Sequence, residues 1–405
     1  MSADVHLFGE RHILIPNGNR IYELDDASFA ALVAAPDAAT LAALGLDAPP
    51  FVDDAPLVDP PLRAISLAVA QKCNLGCTYC YAQQGDFGGA AKNMPLQTAI
   101  DAIDLLPAGE KVNIAFLGGE PLINRDVVRR ATEYAAARGA TFSITTNGTL
   151  LREDDAEFFE KHAFAVTISI DGIGAAHDAQ RPFKSGRGSF DELMTRVEPL
   201  LRMQRRMQVS ARVTVTPRNL ALKETLDELL ARGFHSVGFS PMLTAPSHDN
   251  EMHARDLERM LAAMIECGDE LRRRARRGER YAFANLVNAL RELDRGTHRP
   301  YPCGAGASYL GVSADGELSA CHRFVGDEAG AMGDLAQGPD RARQSRWLDE
   351  RHVMRQEPCR SCWARYLCGG GCHHEVIHRG RPACDFIRGW LHYCLETYAE
   401  LGALA

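Results

Sequence analysis

The chain has 405 residues, of which 46% are hydrophobic and 24% charged, a composition that excludes a disordered protein. A formal net charge of −8 excludes a whole-surface nucleic-acid binder, and no apolar run reaches the length that a membrane helix needs. Twelve cysteines are the unusual number. No secretory signal is visible in the first ten residues, so the expected location is cytoplasmic, where grouped thiols serve metals or redox chemistry rather than disulfides.

Residues 1–60 read as a small α+β unit. His6–Phe8, Arg11–Ile15 and Arg20–Leu24 alternate as short strands, with Pro16-Asn17-Gly18-Asn19 as a turn between the last two. Asp25-Asp26 then caps a helix over Ser28–Ala34, and a second helix is expected over Thr40–Leu44. The proline-rich stretch Asp47–Pro61 reads as a linker. From residue 62 the pattern changes to strand–helix repeats. Strands are expected at Ile65–Ala70, Lys111–Leu117, Thr141–Thr146, Phe164–Ile170, Val209–Thr216 and Ser236–Ser240, with helical stretches between them. Such alternation implies an α/β fold with a parallel sheet. Six strands give a partial (β/α)6 TIM-like barrel over residues 62–245, with its chemistry at the strands' C-terminal ends. Residues 246–300 form a helical connector. In residues 301–405 periodicity fades and glycine and cysteine dominate, so this segment is expected to be held by metal rather than by a core.

Eleven of the cysteines fall into two sets, and Cys267 stands alone on a helix as an expected core thiol. The first is Cys73-Asn-Leu-Gly-Cys77-Thr-Tyr-Cys80, directly after the first barrel strand. Three thiolates this close can hold three corners of a [4Fe–4S] cubane and leave one iron open. Zinc is the alternative, but three cysteines with no fourth nearby suit it poorly. This CxxxCxxC motif, with Tyr79 before its last cysteine, resembles the hallmark of the radical S-adenosylmethionine (SAM) superfamily. The other strand ends agree with it. Gly118-Gly119-Glu120-Pro121 is similar to the family's GGEP motif, which the resemblance implies binds the amino group of SAM. Thr146-Asn147-Gly148 and Ser169-Ile-Asp171-Gly172 close the next two strands. By the same resemblance, polar groups there hold the carboxylate and ribose of SAM, with Ser169 and Arg181 as carboxylate contacts. Taken alone, Asn-Gly and Asp-Gly are ordinary turns.

The second set is Cys303, Cys321, Cys359, Cys362, Cys368, Cys372, Cys384 and Cys394. Its spacing resembles the SPASM domain, an auxiliary-cluster extension of radical SAM peptide-modifying enzymes. The resemblance implies two further cubanes. Cys303, Cys321 and Cys372 share the first, and Cys359, Cys362 and Cys368 share the second, which either Cys384 or Cys394 completes. In some thioether-forming relatives the first keeps an open iron. His373 and His374 are expected to pack around a cluster ligand rather than to bind metal.

Within the superfamily the sequence is most similar to maturases that make thioether cross-links in peptides, of the quinohemoprotein amine dehydrogenase and six-cysteine peptide types. The similarity lies in Tyr81–Gly89, in Gly369–His374 and in the paired Cys384 and Cys394. It implies reductive cleavage of SAM to a 5′-deoxyadenosyl radical, hydrogen abstraction from a peptide or small protein, and closure of a thioether. It also implies a flavodoxin- or ferredoxin-type electron donor and an N-terminal unit that binds a leader peptide; no nucleic acid and no membrane take part. Formylglycine formation in sulfatases, decarboxylation, and carbon–carbon or carbon–oxygen cross-linking are the alternatives within the same chemistry. A non-catalytic zinc protein is the alternative outside it. The general base and the residue attacked cannot be read from the sequence.

Overall fold

The computed structural model describes residues 4–47, 52, 54–246 and 248–402, so the expected linker lies partly outside the described residues. Strands β1 (His6–Phe8), β2 (His12–Ile15) and β3 (Arg20–Glu23) form an antiparallel sheet in chain order. The turn between β2 and β3 puts Gly18 at φ 78° and Asn19 at φ 48°, a left-handed pair that glycine and asparagine tolerate best. A helix over Asp26–Ala34 starts where the Asp25 side chain accepts a hydrogen bond from Ser28 N. Leu32 of that helix and Leu41 of the next (Ala38–Ala43) pack on Ile13 as a small core of their own.

This unit rests on the C-terminal region. The His6 ring stacks on Trp363 at 3.6 Å, and Asn19 Nδ2 donates to the Tyr366 carbonyl at 3.2 Å.

The barrel strands are β4 (Ala64–Gln71), β6 (Asn113–Gly118), β7 (Thr141–Thr146), β8 (Ala165–Ser169), β9 (Gln208–Val215) and β10 (Val237–Pro241); they pair parallel in the order β10-β9-β8-β7-β6-β4. A two-residue strand β5 (Lys92–Asn93) covers the end of β4. Along β9, Val209, Ala211, Val213 and Val215 are buried, while Ser210, Arg212 and Thr214 alternate with them and point to the other face. In an open barrel that other face is the lumen. Crossover helices such as Arg125–Ala136 and Phe190–Met203 bury one apolar stripe each on the outside.

The sheet does not stop at β4. β11 (Tyr309–Val312) pairs parallel with it, and β12 (Glu317–Ser319), β13 (Ala331–Asp334) and β14 (Gly338–Pro339) continue as an antiparallel ribbon. Leu310, Val312, Leu318, Phe324 and Trp347 are buried in the same core as the barrel. The expectation that residues 301–405 lack a core is therefore corrected. Strands of two to four residues are too short to display a period. Outside the sheet, the helices Ala254–Ala275, Ala284–Asp294 and Cys384–Gly402 pack together.

Candidate active site

The loop after β4 carries Cys73, Cys77 and Cys80, half-buried thiols with no disulfide partner. The neighbouring 180–182 segment holds this loop: Gly76 N donates to the Pro182 carbonyl at 2.8 Å and Thr78 N to the Gln180 carbonyl at 3.0 Å. Cys73 Sγ receives Leu75 N at 3.4 Å and Asn147 Nδ2 at 3.7 Å. Burial pushes the Cys77 thiol up to about 12, with the nearby Arg181 guanidinium opposing the shift. Burial also raises Cys73. Burial disfavours ionisation of Cys73 and Cys77, and a multivalent cationic centre would offset that cost, so an iron–sulfur cluster fits this three-thiol donor set.

The strand ends beside the thiols form one polar network. Glu120, fully buried, accepts from Leu122 N (3.0 Å), Thr146 Oγ1 (2.7 Å) and Asn147 N (2.7 Å). Desolvation still raises its carboxyl above the usual range. Gly118, at φ 146°, and Gly119 are required by packing: a Cβ on either would strike the backbone of Ala70 or Lys72. Below Cys77, the buried Asp171 carboxylate receives the Tyr79 hydroxyl and Thr214 N (2.7 Å), and Arg181 lies 3.5 Å away. Arg181 also donates to the Tyr79 hydroxyl at 2.5 Å, while its Nε has no partner. Ser169 is only half-buried and sits in register with Arg212 of β9.

Thus Tyr79, Asp171 and Arg181 meet under the thiols. Glu120, Thr146 and Asn147 meet beside them, and Ser169 lies apart on the lumen side.

The C-terminal thiols separate into two groups and one outlier. Cys321 feels the charges of Cys372 and Cys303, and burial pushes it up to about 12. Arg323 Nη1 points at Cys372 Sγ across 3.8 Å and pairs with Glu375 at 2.8 Å. Cys359, Cys362, Cys368 and Cys384 line one small cavity together with Arg381 and Arg388, and Cys372 reaches its edge. Burial raises Cys359 to about 11, and Cys368, Cys384 and Cys362 are its nearby thiols. Cys394 is fully buried among the core side chains, where desolvation alone raises its pKa and no other thiol contributes. Of the pair Cys384 and Cys394, Cys384 stands with the other thiols of this cavity and Cys394 does not.

Two further residues of the site, Tyr81 and Arg212, were assigned no role from the sequence. Tyr81 is half-buried where the charges of both Cys80 and Cys321 reach its hydroxyl, and the Arg323 guanidinium lies 5.3 Å from its ring centre. It stands between the two thiol sets. Arg212 projects into the lumen, where solvent reaches it but surrounding protein lowers its pKa; Glu375 opposes that shift. Its place in strict alternation looks like an ordinary solvent face until the sheet curves.

The sequence profile described as the radical SAM superfamily matches residues 67–229. Those residues form a radical SAM domain. The cofactors of a radical SAM enzyme are S-adenosylmethionine and [4Fe–4S] iron–sulfur clusters, which agrees with the donor set after β4. The chain is 26% identical over 337 residues to the serine-type anaerobic sulfatase-maturating enzyme of Klebsiella aerogenes, covering 77% of this chain and 80% of that one. Its fold is shared with the structure titled native anSMEcpe with bound AdoMet and Cp18Cys peptide (TM-score 0.70, 18% identity, 85% of this chain and 100% of that one). It is also shared with Streptococcus suis SuiB bound to precursor peptide SuiA (TM-score 0.56, 15% identity, 93% and 96%). The radical SAM domain is thus built on a partial barrel whose sheet runs on into a cysteine-rich C-terminal region.

Proposed function

We propose that this enzyme modifies a peptide or small protein by closing a thioether cross-link. In this reading Cys73, Cys77 and Cys80 hold the cluster that binds SAM. Cys303, Cys321 and Cys372 hold a first auxiliary cluster, and Cys359, Cys362, Cys368 and Cys384 hold a second.

The observation that carries it is the three-thiol group. The thiols that act on Cys321 are Cys372 and Cys303, and the two cysteines outside both C-terminal groups, Cys394 and Cys267, are buried in the core. A cubane with three protein thiolates keeps one iron for an outside ligand, and a substrate cysteine thiolate suits it. When bound, SAM and the clusters supply the radical that removes a hydrogen atom from carbon and an acceptor for the remaining electron. The chain's own residues place and shield these groups: Tyr81 and Arg323 wall the space between the two thiol sets, and Glu120 fixes the ends of β6 and β7. Residues 1–60 are assigned the leader peptide, and a flavodoxin- or ferredoxin-type protein supplies the electron.

Formylglycine formation is the second reading, favoured by the similarity to the Klebsiella enzyme along most of both chains. The two separate by mass spectrometry of a co-expressed candidate peptide treated with iodoacetamide. A thioether removes one hydrogen from carbon and one from sulfur, so the product is about two mass units lighter and one cysteine escapes alkylation. Formylglycine made from serine is equally light but leaves every cysteine open to alkylation and adds an aldehyde that reacts with hydrazides.

A further inference from the structure

A cluster of potential ligands lies outside all the thiol groups. His374 and His378 stand one helical turn apart on the helix His373–Arg379, so they share a face, and their rings lie 4.6 Å apart. Asp327, from the loop after Phe324, faces them. One ligand atom from each of the three lies within 4.8 Å of the others. The Asp327 carboxylate already touches His378 Nε2 at 2.7 Å, while its other oxygen is fixed by Ala329 N at 3.0 Å. His374 Nδ1 is buried and has no hydrogen-bond partner.

An orphaned imidazole nitrogen is costly unless something binds it. Arg323, a cation whose charge reaches His374, is paired with Glu375 at 2.8 Å. All three ligands line a cavity of about 480 Å³ that also reaches Tyr81 and Gln83 on the barrel side.

We propose that Asp327, His374 and His378 bind a divalent zinc-type ion, with the remaining coordination position turned to that cavity. Two imidazoles and one carboxylate are the donor set of three-ligand zinc sites that keep a position open. Binding would satisfy His374 and convert the His378–Asp327 contact into a shared metal bridge. It would also clip the loop around Asp327 to the helix that follows Cys372. The site is independent of which bond the enzyme forms. It goes beyond the expectation that His374 only packs, although its ring also sits against Phe324 at 5.0 Å.

The test uses the full chain with its iron–sulfur clusters reconstituted anaerobically, so that the cysteines are occupied. Zinc chloride is added, loose metal is removed by desalting, and zinc and iron are counted by mass spectrometry. Wild type should retain one zinc ion per chain. His378→Ala, at an exposed position, and Asp327→Ala should each reduce zinc to background without changing iron. X-ray absorption at the zinc edge should give a nitrogen and oxygen shell with imidazole scattering and no sulfur. The proposal is overturned by background zinc in wild type, by a sulfur shell, or by zinc retention unchanged in His378→Ala. The iron count reports that each variant is folded.

Discussion

Cys384 and Cys394 stand on one helix and serve different environments. Cys384 opens the helix at the cavity shared with Cys359, Cys362 and Cys368, whereas Cys394 is buried in the core among side chains such as Trp390 and Leu395. The helical rise separates them by about 15 Å along the axis. One cubane cannot take both.

Replacing each in turn gives opposite results. Cys384→Ser should lower the iron content of reconstituted protein and weaken the absorption of its clusters. Cys394→Ala should keep all of its iron and lose about 1 kcal/mol of stability, the usual scale for a small core deletion. Iron analysis and thermal unfolding of the two variants check this.

The proposed role of Cys73, Cys77 and Cys80 in SAM cleavage is tested by removing each thiol. Cys73→Ala, Cys77→Ala or Cys80→Ala should abolish production of 5′-deoxyadenosine with dithionite as reductant. The triple variant should still hold about two thirds of the wild-type iron, because two of three cubanes remain. Full SAM cleavage in any of these variants would contradict the assignment.

Arg181 neutralises a carboxylate that water cannot reach. Arg181→Leu strands Asp171 and the Tyr79 hydroxyl beneath Cys77, and should cost about 3 kcal/mol, as expected for a buried pair broken on one side. Urea unfolding would measure the loss. The double variant Arg181→Leu with Asp171→Leu should recover part of it, since no buried charge is left unpaired.

Acid stability carries a sign that the structure dictates. Burial holds His177 down to about 3, while its ring bonds Asp171 N at 3.2 Å and Ser189 Oγ at 3.1 Å. Its folded value lies below the unfolded value of 6.5, so the unfolded chain binds more protons between those limits. Stability from this group is complete above pH 6.5 and is lost progressively as pH falls below it. Melting temperature should therefore drop on acidification, and His177→Gln should flatten that part of the curve.

Much of this was legible in the sequence because periodicity and local chemistry pointed the same way. All six barrel strands lie where alternation and apolar runs place them, and Cys73–Cys80 sits at the end of the first. The short strands β11–β14 were not legible: pairing with β4 depends on the partner's edge, not on a pattern of their own. The different surroundings of Cys384 and Cys394 were equally hidden, because both lie in one helical stretch and only their separation along its axis sets them apart. Arg212 was missed for a further reason. A polar residue in an alternating strand faces water or a lumen with the same sequence pattern, and only the curvature of the sheet decides which.

The most direct test of the account is the peptide product. With a cysteine-bearing precursor co-expressed anaerobically, tandem mass spectrometry should find a peptide lighter by about two mass units. One of its cysteines should be refractory to iodoacetamide, and the fragment ions should place a bond between that sulfur and a carbon. A product equally light with every cysteine alkylated, or one that has lost its sulfur, would contradict thioether formation.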